Sequence, residues 1–159
     1  MTIAIGQRIP AVTLVKVTAD GPDSIDSTEF FAGRTVVLFA VPGAFTPTCS
    51  ARHLPSFLDN LDALQAKGVA EVACISVNDP FVMQAWAKQT GAAGITMLAD
   101  GNAEFATAVG LTMDGSKFNL GTRSQRYSML VEDGVVTRLN VEQPGEFRVS
   151  SGDYLLGAL

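Results

Sequence analysis

The chain has little of what several common chemistries require. It holds one histidine and two cysteines in 159 residues. Two cysteines cannot build a disulfide framework, so a reducing cytoplasm is the expected setting. With one histidine and cysteines far apart in sequence, no zinc-binding pattern forms either. The eleven basic residues are scattered among sixteen acidic ones, for a net charge of −5. Without a basic patch to neutralise phosphates, nucleic acid is not an expected partner. No segment nears the ~20 apolar residues of a membrane span. Met1-Thr2-Ile3-Ala4-Ile5-Gly6-Gln7-Arg8 lacks the basic-then-apolar build of a signal peptide. Repeats, linkers and low-complexity tracts are also missing. What remains is one domain, residues 1–159, whose 47% hydrophobic content suffices for a core.

Against that plain background one stretch stands out. The apolar run Val36-Val37-Leu38-Phe39-Ala40 reads as a buried strand. Pro42, Gly43 and Pro47 then stop the strand and stiffen a loop. Leu54, Leu58, Leu61 and Leu64 recur at helical spacing beyond it. Cys49 therefore sits where loop becomes helix. Unpaired backbone N–H groups and the positive end of the helix dipole there favour a negative charge, hence the thiolate, the reactive form of cysteine. Thr46 adds a hydroxyl three residues earlier. Strand, stiff loop, hydroxyl and thiolate make a nucleophile site.

The spacing Pro42-x-x-x-Thr46-x-x-Cys49 resembles the active-site signature of the peroxiredoxins. The longer stretch, Pro42 to Ser50 followed by His53-Leu54-Pro55, is similar to their type II (atypical, plant-like) branch. The likeness continues through Cys74 to Val82, Trp86, Leu98-Ala99-Asp100, Gly121 to Met129 and Leu139 to Glu142, nearly the whole chain. It implies an α/β, thioredoxin-like fold. It also implies a thiol-dependent peroxidase that reduces hydrogen peroxide and alkyl hydroperoxides. The resemblance brings no bound cofactor; an external thiol, glutathione with glutaredoxin or thioredoxin, is the expected reductant. A homodimer formed near the active-site loop is implied as well.

Carried over residue by residue, Cys49 attacks the peroxide, Thr46 and Arg126 orient it, and Pro42 closes the pocket. Arg123 would be an equal candidate by chemistry alone, and the match to the Arg-aromatic-Ser-Met stretch selects Arg126. A guanidinium keeps its charge and presents five donors in a fixed fork. Cys74 follows Cys49 by 25 positions, a spacing that resembles the plant-like enzymes and makes it a candidate resolving cysteine. Its other reading is a core thiol in a buried strand. Lying about four residues down that strand, it would stand roughly 13 Å from the strand's end. A disulfide needs Cα atoms within about 7 Å, so bonding to Cys49 would require the helix start to unwind. Both readings stay open. The C-terminal resolving cysteine of other type II members is absent, since Phe147-Arg148-Val149-Ser150-Ser151-Gly152 stands there.

Rival functions can be framed. A peroxide-responsive redox sensor or thiol-dependent binding protein would use Cys49 once per event rather than in turnover. A cysteine hydrolase would pair Cys49 with His53, four residues on. Trp86 reads as a core or interface residue without a catalytic role.

The remaining expected elements are a strand over 12–18, a turn cluster at Asp20-Gly21-Pro22-Asp23 and a short helical turn near Ser27 closed by Gly33. The helix after Cys49 should kink at Pro55 and run to about Lys67. A buried strand over 71–77 and a helix capped by Asp79-Pro80 come next. A short strand over 96–99 and a short helix over 103–109 lead to a hairpin at Asp133-Gly134 and a last helix from Gly152. Parallel strands with crossover helices and a late hairpin give a mixed central sheet with helices on both faces.

Overall fold

A computed structural model describes residues 1–159. Strand β1 (Thr13–Thr18) turns back at Ala19-Asp20 into β2 (Gly21–Asp26), paired in full register from Thr13↔Asp26 to Thr18↔Gly21. The expected turn cluster is thus only partly a turn. Its Gly21, Pro22 and Asp23 belong to an edge strand whose one large apolar side chain on the core is Ile25, so no hydrophobic alternation marks it. Asp26 caps α1 (Ser27–Phe31) by accepting from Thr28 N, and Gly33, at φ +68°, redirects the chain.

In β3 (Thr35–Ala40) the side chains alternate between two cores, Val37 and Phe39 on one face, Val36, Leu38 and Ala40 on the other. A strand apolar on both faces has to be central.

After the loop, a π-helical turn (Cys49–His53) runs into α2 (Leu54–Leu58), with Leu54 N bonded to Cys49 O. Pro55 lacks an N–H and would press on the carbonyl one turn back in a regular helix. The distortion expected at Pro55 takes this form, a turn widened to five-residue spacing just before it. The helix is also shorter than expected. It breaks at Asp59-Asn60 and resumes as α3 (Leu61–Ala66), and at the break the Asn60 side-chain amide donates to Ser56 O and Asp153 Oδ1, both at 2.7 Å.

Then follow β4 (Glu71–Ser76), α4 (Pro80–Thr90) with Asp79 capping at Val82 N, β5 (Thr96–Ala99) and α5 (Glu104–Ala108). A small unexpected hairpin, β6 (Thr112–Asp114) with β7 (Thr122–Ser124), stands apart from the main sheet. The expected hairpin is β8 (Tyr127–Glu132) with β9 (Val135–Val141), joined at Asp133-Gly134, both at positive φ. Helix α6 (Gly152–Gly157) closes the chain.

The main sheet has the order β2-β1-β5-β4-β3-β8-β9, parallel only across β5-β4-β3. Leu54, Phe57, Leu64, Met83, Trp86 and Leu155 cover one face, while Phe30, Phe31, Phe105 and Val109 cover the other. Each fully buried Leu or Phe contributes about 1.5–3 kcal/mol over an exposed one. The parallel strands β3 and β4 deliver their carboxyl ends to the same edge, the usual place for a site in such sheets.

Candidate active site

The chain leaves the sheet at Val41, whose N–H still donates to Ile75 O at 3.2 Å. The loop that follows is tied to the end of β4. Ala44 N donates to Asn78 Oδ1 at 3.0 Å, and Ser76 Oγ lies 3.0 Å from Val41 O and 2.7 Å from Asn78 Oδ1. Arg123 bolts the same two segments, with Nη1 3.1 Å from Val77 O and 3.5 Å from Pro42 O. Gly43 fits closely there, since a Cβ would stand 3.2 Å from both Arg123 Nη1 and the Thr46 methyl and press on both. Phe45 sits at φ +66°, a conformation a bulky residue holds only where its surroundings impose it.

This scaffold delivers Cys49 into a wholly buried position with two donors on its sulfur. Arg126 Nη2 donates to Sγ at 3.1 Å, and Thr46 Oγ1 lies 2.8 Å away. Thr46 Oγ1 is also 2.6 Å from Gly43 O. A hydroxyl carries one hydrogen. With a thiol, S–H can donate to Thr46 while Thr46 donates to Gly43 O; with a thiolate, Thr46 must turn its hydrogen to the sulfur. Pro42, Thr48 and Arg126 line a cavity of about 430 Å³, and Arg126 links it to the sulfur it donates to. Cys49, Thr46, Arg126 and Pro42, the residues singled out in the sequence, are thus brought together. Arg123 is not on the sulfur.

Cys74 lies apart, mid-strand in β4 opposite Phe39. It is free and fully buried in the same apolar cluster as Cys49. Burial, and secondarily the nearby Cys49 charge, push its thiol well above the usual range.

His53 carries more than its sequence reading allowed. It is fully buried, with Phe39 and Phe147 each 5.0 Å away between ring centroids. Arg126 Nη1 lies 2.9 Å from Nδ1, and Nε2 lies 2.8 Å from Ser150 O. A guanidinium only donates, so Nδ1 accepts and Nε2 carries the proton. Burial first, then the Arg126 charge, lower its pKa to about 3. Neither nitrogen is free to take a proton from Cys49, which removes the hydrolase pairing. Neither role could be read from sequence, because Arg126 and Ser150 lie 73 and 97 positions away. Trp86, expected in the core or an interface, is buried in the core, and its indole also donates to Ser50 Oγ at 2.9 Å.

The Redoxin family model matches residues 4–156. Prx3 of Vibrio vulnificus, solved in reduced form in complex with hydrogen peroxide, is 52% identical over 99% of both chains, with a TM-score of 0.96. The chain belongs to the redoxin family, as a type II peroxiredoxin. Peroxiredoxin-2B of Arabidopsis thaliana is 44% identical over 99% of this chain and 98% of that protein. Peroxiredoxin-2E-2 of Oryza sativa is 49% identical over 99% of this chain and 73% of its own length. The fold is the thioredoxin-like α/β fold, and the activity is that of a thiol-dependent peroxidase. Peroxiredoxins carry no prosthetic group, and no group of three or more His, Cys, Asp or Glu side chains here is placed to hold a metal.

Proposed function

We propose that this peroxiredoxin reduces hydrogen peroxide and small alkyl hydroperoxides at Cys49, with Thr46 and Arg126 as the groups that orient the substrate and Pro42 as the wall that limits water. The thiolate lone pair attacks the terminal oxygen of R–O–OH. The O–O bond breaks, Cys49 becomes a sulfenic acid, and the departing oxygen leaves as alkoxide or hydroxide to take a proton. Negative charge moves from sulfur to that oxygen, and the donors already aimed at the sulfur offset it. The observation that carries the reading is the pair of donors on a buried sulfur, Arg126 Nη2 at 3.1 Å and Thr46 Oγ1 at 2.8 Å. The peroxide complex of the Vibrio vulnificus relative supports hydrogen peroxide as a substrate.

Recycling takes two equivalents of external thiol, glutathione with glutaredoxin or thioredoxin. The first condenses with the sulfenic acid and releases water; the second reduces the mixed disulfide. Cys74 is a core thiol in this reading, supported by the direction of its pKa, because a thiol pushed upward is a poor nucleophile. The exposed rings of Phe45 and Phe81, 47% and 68% accessible, support a homodimer formed beside the loop. Two free cysteines support a reducing setting, the cytoplasm.

Peroxide consumption with glutathione and glutaredoxin, or with thioredoxin and its reductase, tests the reading. The wild type should turn over many equivalents, and Cys49→Ser none. Retained turnover in Cys49→Ser would overturn it, and consumption of a single equivalent by wild type would make the protein a sensor.

A further inference from the structure

Glu142, at the end of β9, is a buried carboxylate that the peroxidase chemistry does not use. Its oxygens accept from Arg148 N at 2.8 and 2.9 Å, from Val149 N and Ser150 N at 2.8 Å each, and from Ser150 Oγ at 2.7 Å. Burial pushes this carboxyl up, and those hydrogen bonds more than reverse it, holding it below the usual carboxylate range. A carboxylate that gathers three successive backbone N–H groups fixes the path of the segment that carries them. That segment holds Ser150 O where it accepts the Nε2 proton of His53. Phe147, just before it, has the guanidinium of Arg52 4.8 Å and that of Arg126 5.9 Å from its ring centroid.

The connections close on themselves. Glu142 N donates to Arg126 O at 2.9 Å. The carboxylate of Glu142 holds the 148–150 segment, the segment holds His53, and His53 accepts from the guanidinium of Arg126. One residue therefore anchors both the backbone of Arg126 and, through two intermediaries, its side chain.

We propose that Glu142 is a positioning residue for the peroxidase step: by gripping residues 148–150 it fixes the ring of His53, and through His53 it aims Arg126 at the sulfur. This rests on the reading of Cys49 and Arg126 given above. With the grip lost, Ser150 O no longer selects the Nε2–H tautomer, the Nδ1 lone pair is no longer reserved for Arg126, and the guanidinium swings away from Sγ. Misplacement of a catalytic group by about 1 Å costs on the order of 10²-fold.

The test uses Glu142→Gln, which keeps the shape and sets an NH2 against backbone donors, with urea unfolding to verify that the variant is folded. Oxidation of the reduced protein by hydrogen peroxide is followed by stopped flow. Alkylation of Cys49 by iodoacetamide, located by peptide mass, is followed on its alkaline plateau, where every Cys49 is thiolate. Alkylation needs the thiolate but no oriented O–O bond. Peroxide oxidation should slow roughly 10- to 100-fold while alkylation stays within about twofold of wild type. The ring 15N shifts of the single histidine should move from a fixed Nε2–H form toward an average of both tautomers. An unchanged peroxide rate would overturn the proposal, as would an equal fall in both reactions or an unchanged tautomer. A wild type that peroxide oxidises only at a site other than Cys49 would defeat the underlying peroxidase reading instead, and Cys49→Ser reads that separately.

Discussion

Cys49 and Cys74 share one apolar cluster, and both are free and wholly buried. By exposure they cannot be told apart. Cys49 stands at the end of the sheet in a widened helical turn, with a guanidinium and a hydroxyl on its sulfur. Cys74 stands in mid-strand beside Phe39, has no hydrogen-bond partner on its sulfur among the side-chain bonds, and is pushed up by burial. Burial alone makes a thiol inert; burial with aimed donors makes it a site. The same low-polarity surroundings penalise the charge on one sulfur and strengthen its hydrogen bonds on the other.

The contrast breaks most sharply at Arg126. Arg126→Ala removes the charged donor and leaves Cys49 closer to the condition of Cys74. Oxidation by peroxide should slow by about 10²- to 10³-fold, the usual cost of a lost oxyanion-type donor, with the circular dichroism of wild type. A rate within threefold of wild type would show that the guanidinium is not what separates the two cysteines.

A smaller effect comes from His53, the acceptor for Arg126. Its folded pKa is about 3 against a reference of 6.5. As pH falls below 6.5 the unfolded chain takes up a proton that the folded one refuses, so the stability intact above 6.5 is lost progressively toward pH 3. Urea unfolding should show a loss of roughly 1–2 kcal/mol between pH 6.5 and 5, mostly above the titration of the carboxylates. A flat profile over that window, or an identical slope in His53→Gln, would contradict the buried neutral ring.

Cys74→Ala should matter least. Turnover with an external thiol should stay within about twofold of wild type, the small cost falling on packing rather than chemistry. Loss of turnover, together with an internal disulfide in the oxidised wild type, would instead make Cys74 the resolving residue.

Much of this arrangement was legible in the chain. Val36–Ala40, the Asp79-Pro80 cap and the Asp133-Gly134 hairpin each carry a local signal, in apolar period, cap chemistry or turn chemistry, and each appears where it was expected. The Pro42, Thr46 and Cys49 spacing needed only one loop to bring its parts together. Strand β2 was not legible, because its run of Pro22, Asp23 and Ser24 is exposed, Ile25 alone packs on the core, and backbone pairing to β1 holds it. The break at Asp59-Asn60 was hidden for another reason. The leucine period runs through it undisturbed, while the Asn60 side chain finds one of its partners in Asp153, 93 positions away. Glu142 and His53 belong to the same class. Their partners are backbone groups and side chains fixed by the tertiary fold, and no residue type announces such an acceptor in advance.

The Trp86–Ser50 hydrogen bond has a practical consequence. The chain has one tryptophan, fully shielded from water, with its indole N–H held by the residue next to Cys49. A sulfur this deeply buried can meet a bulky thiol only if the turn around it opens, and opening that turn takes away the partner of the indole. The emission of that single fluorophore should therefore change as the turn opens and recloses, a gauge of the redox cycle set within the protein itself and needing no label.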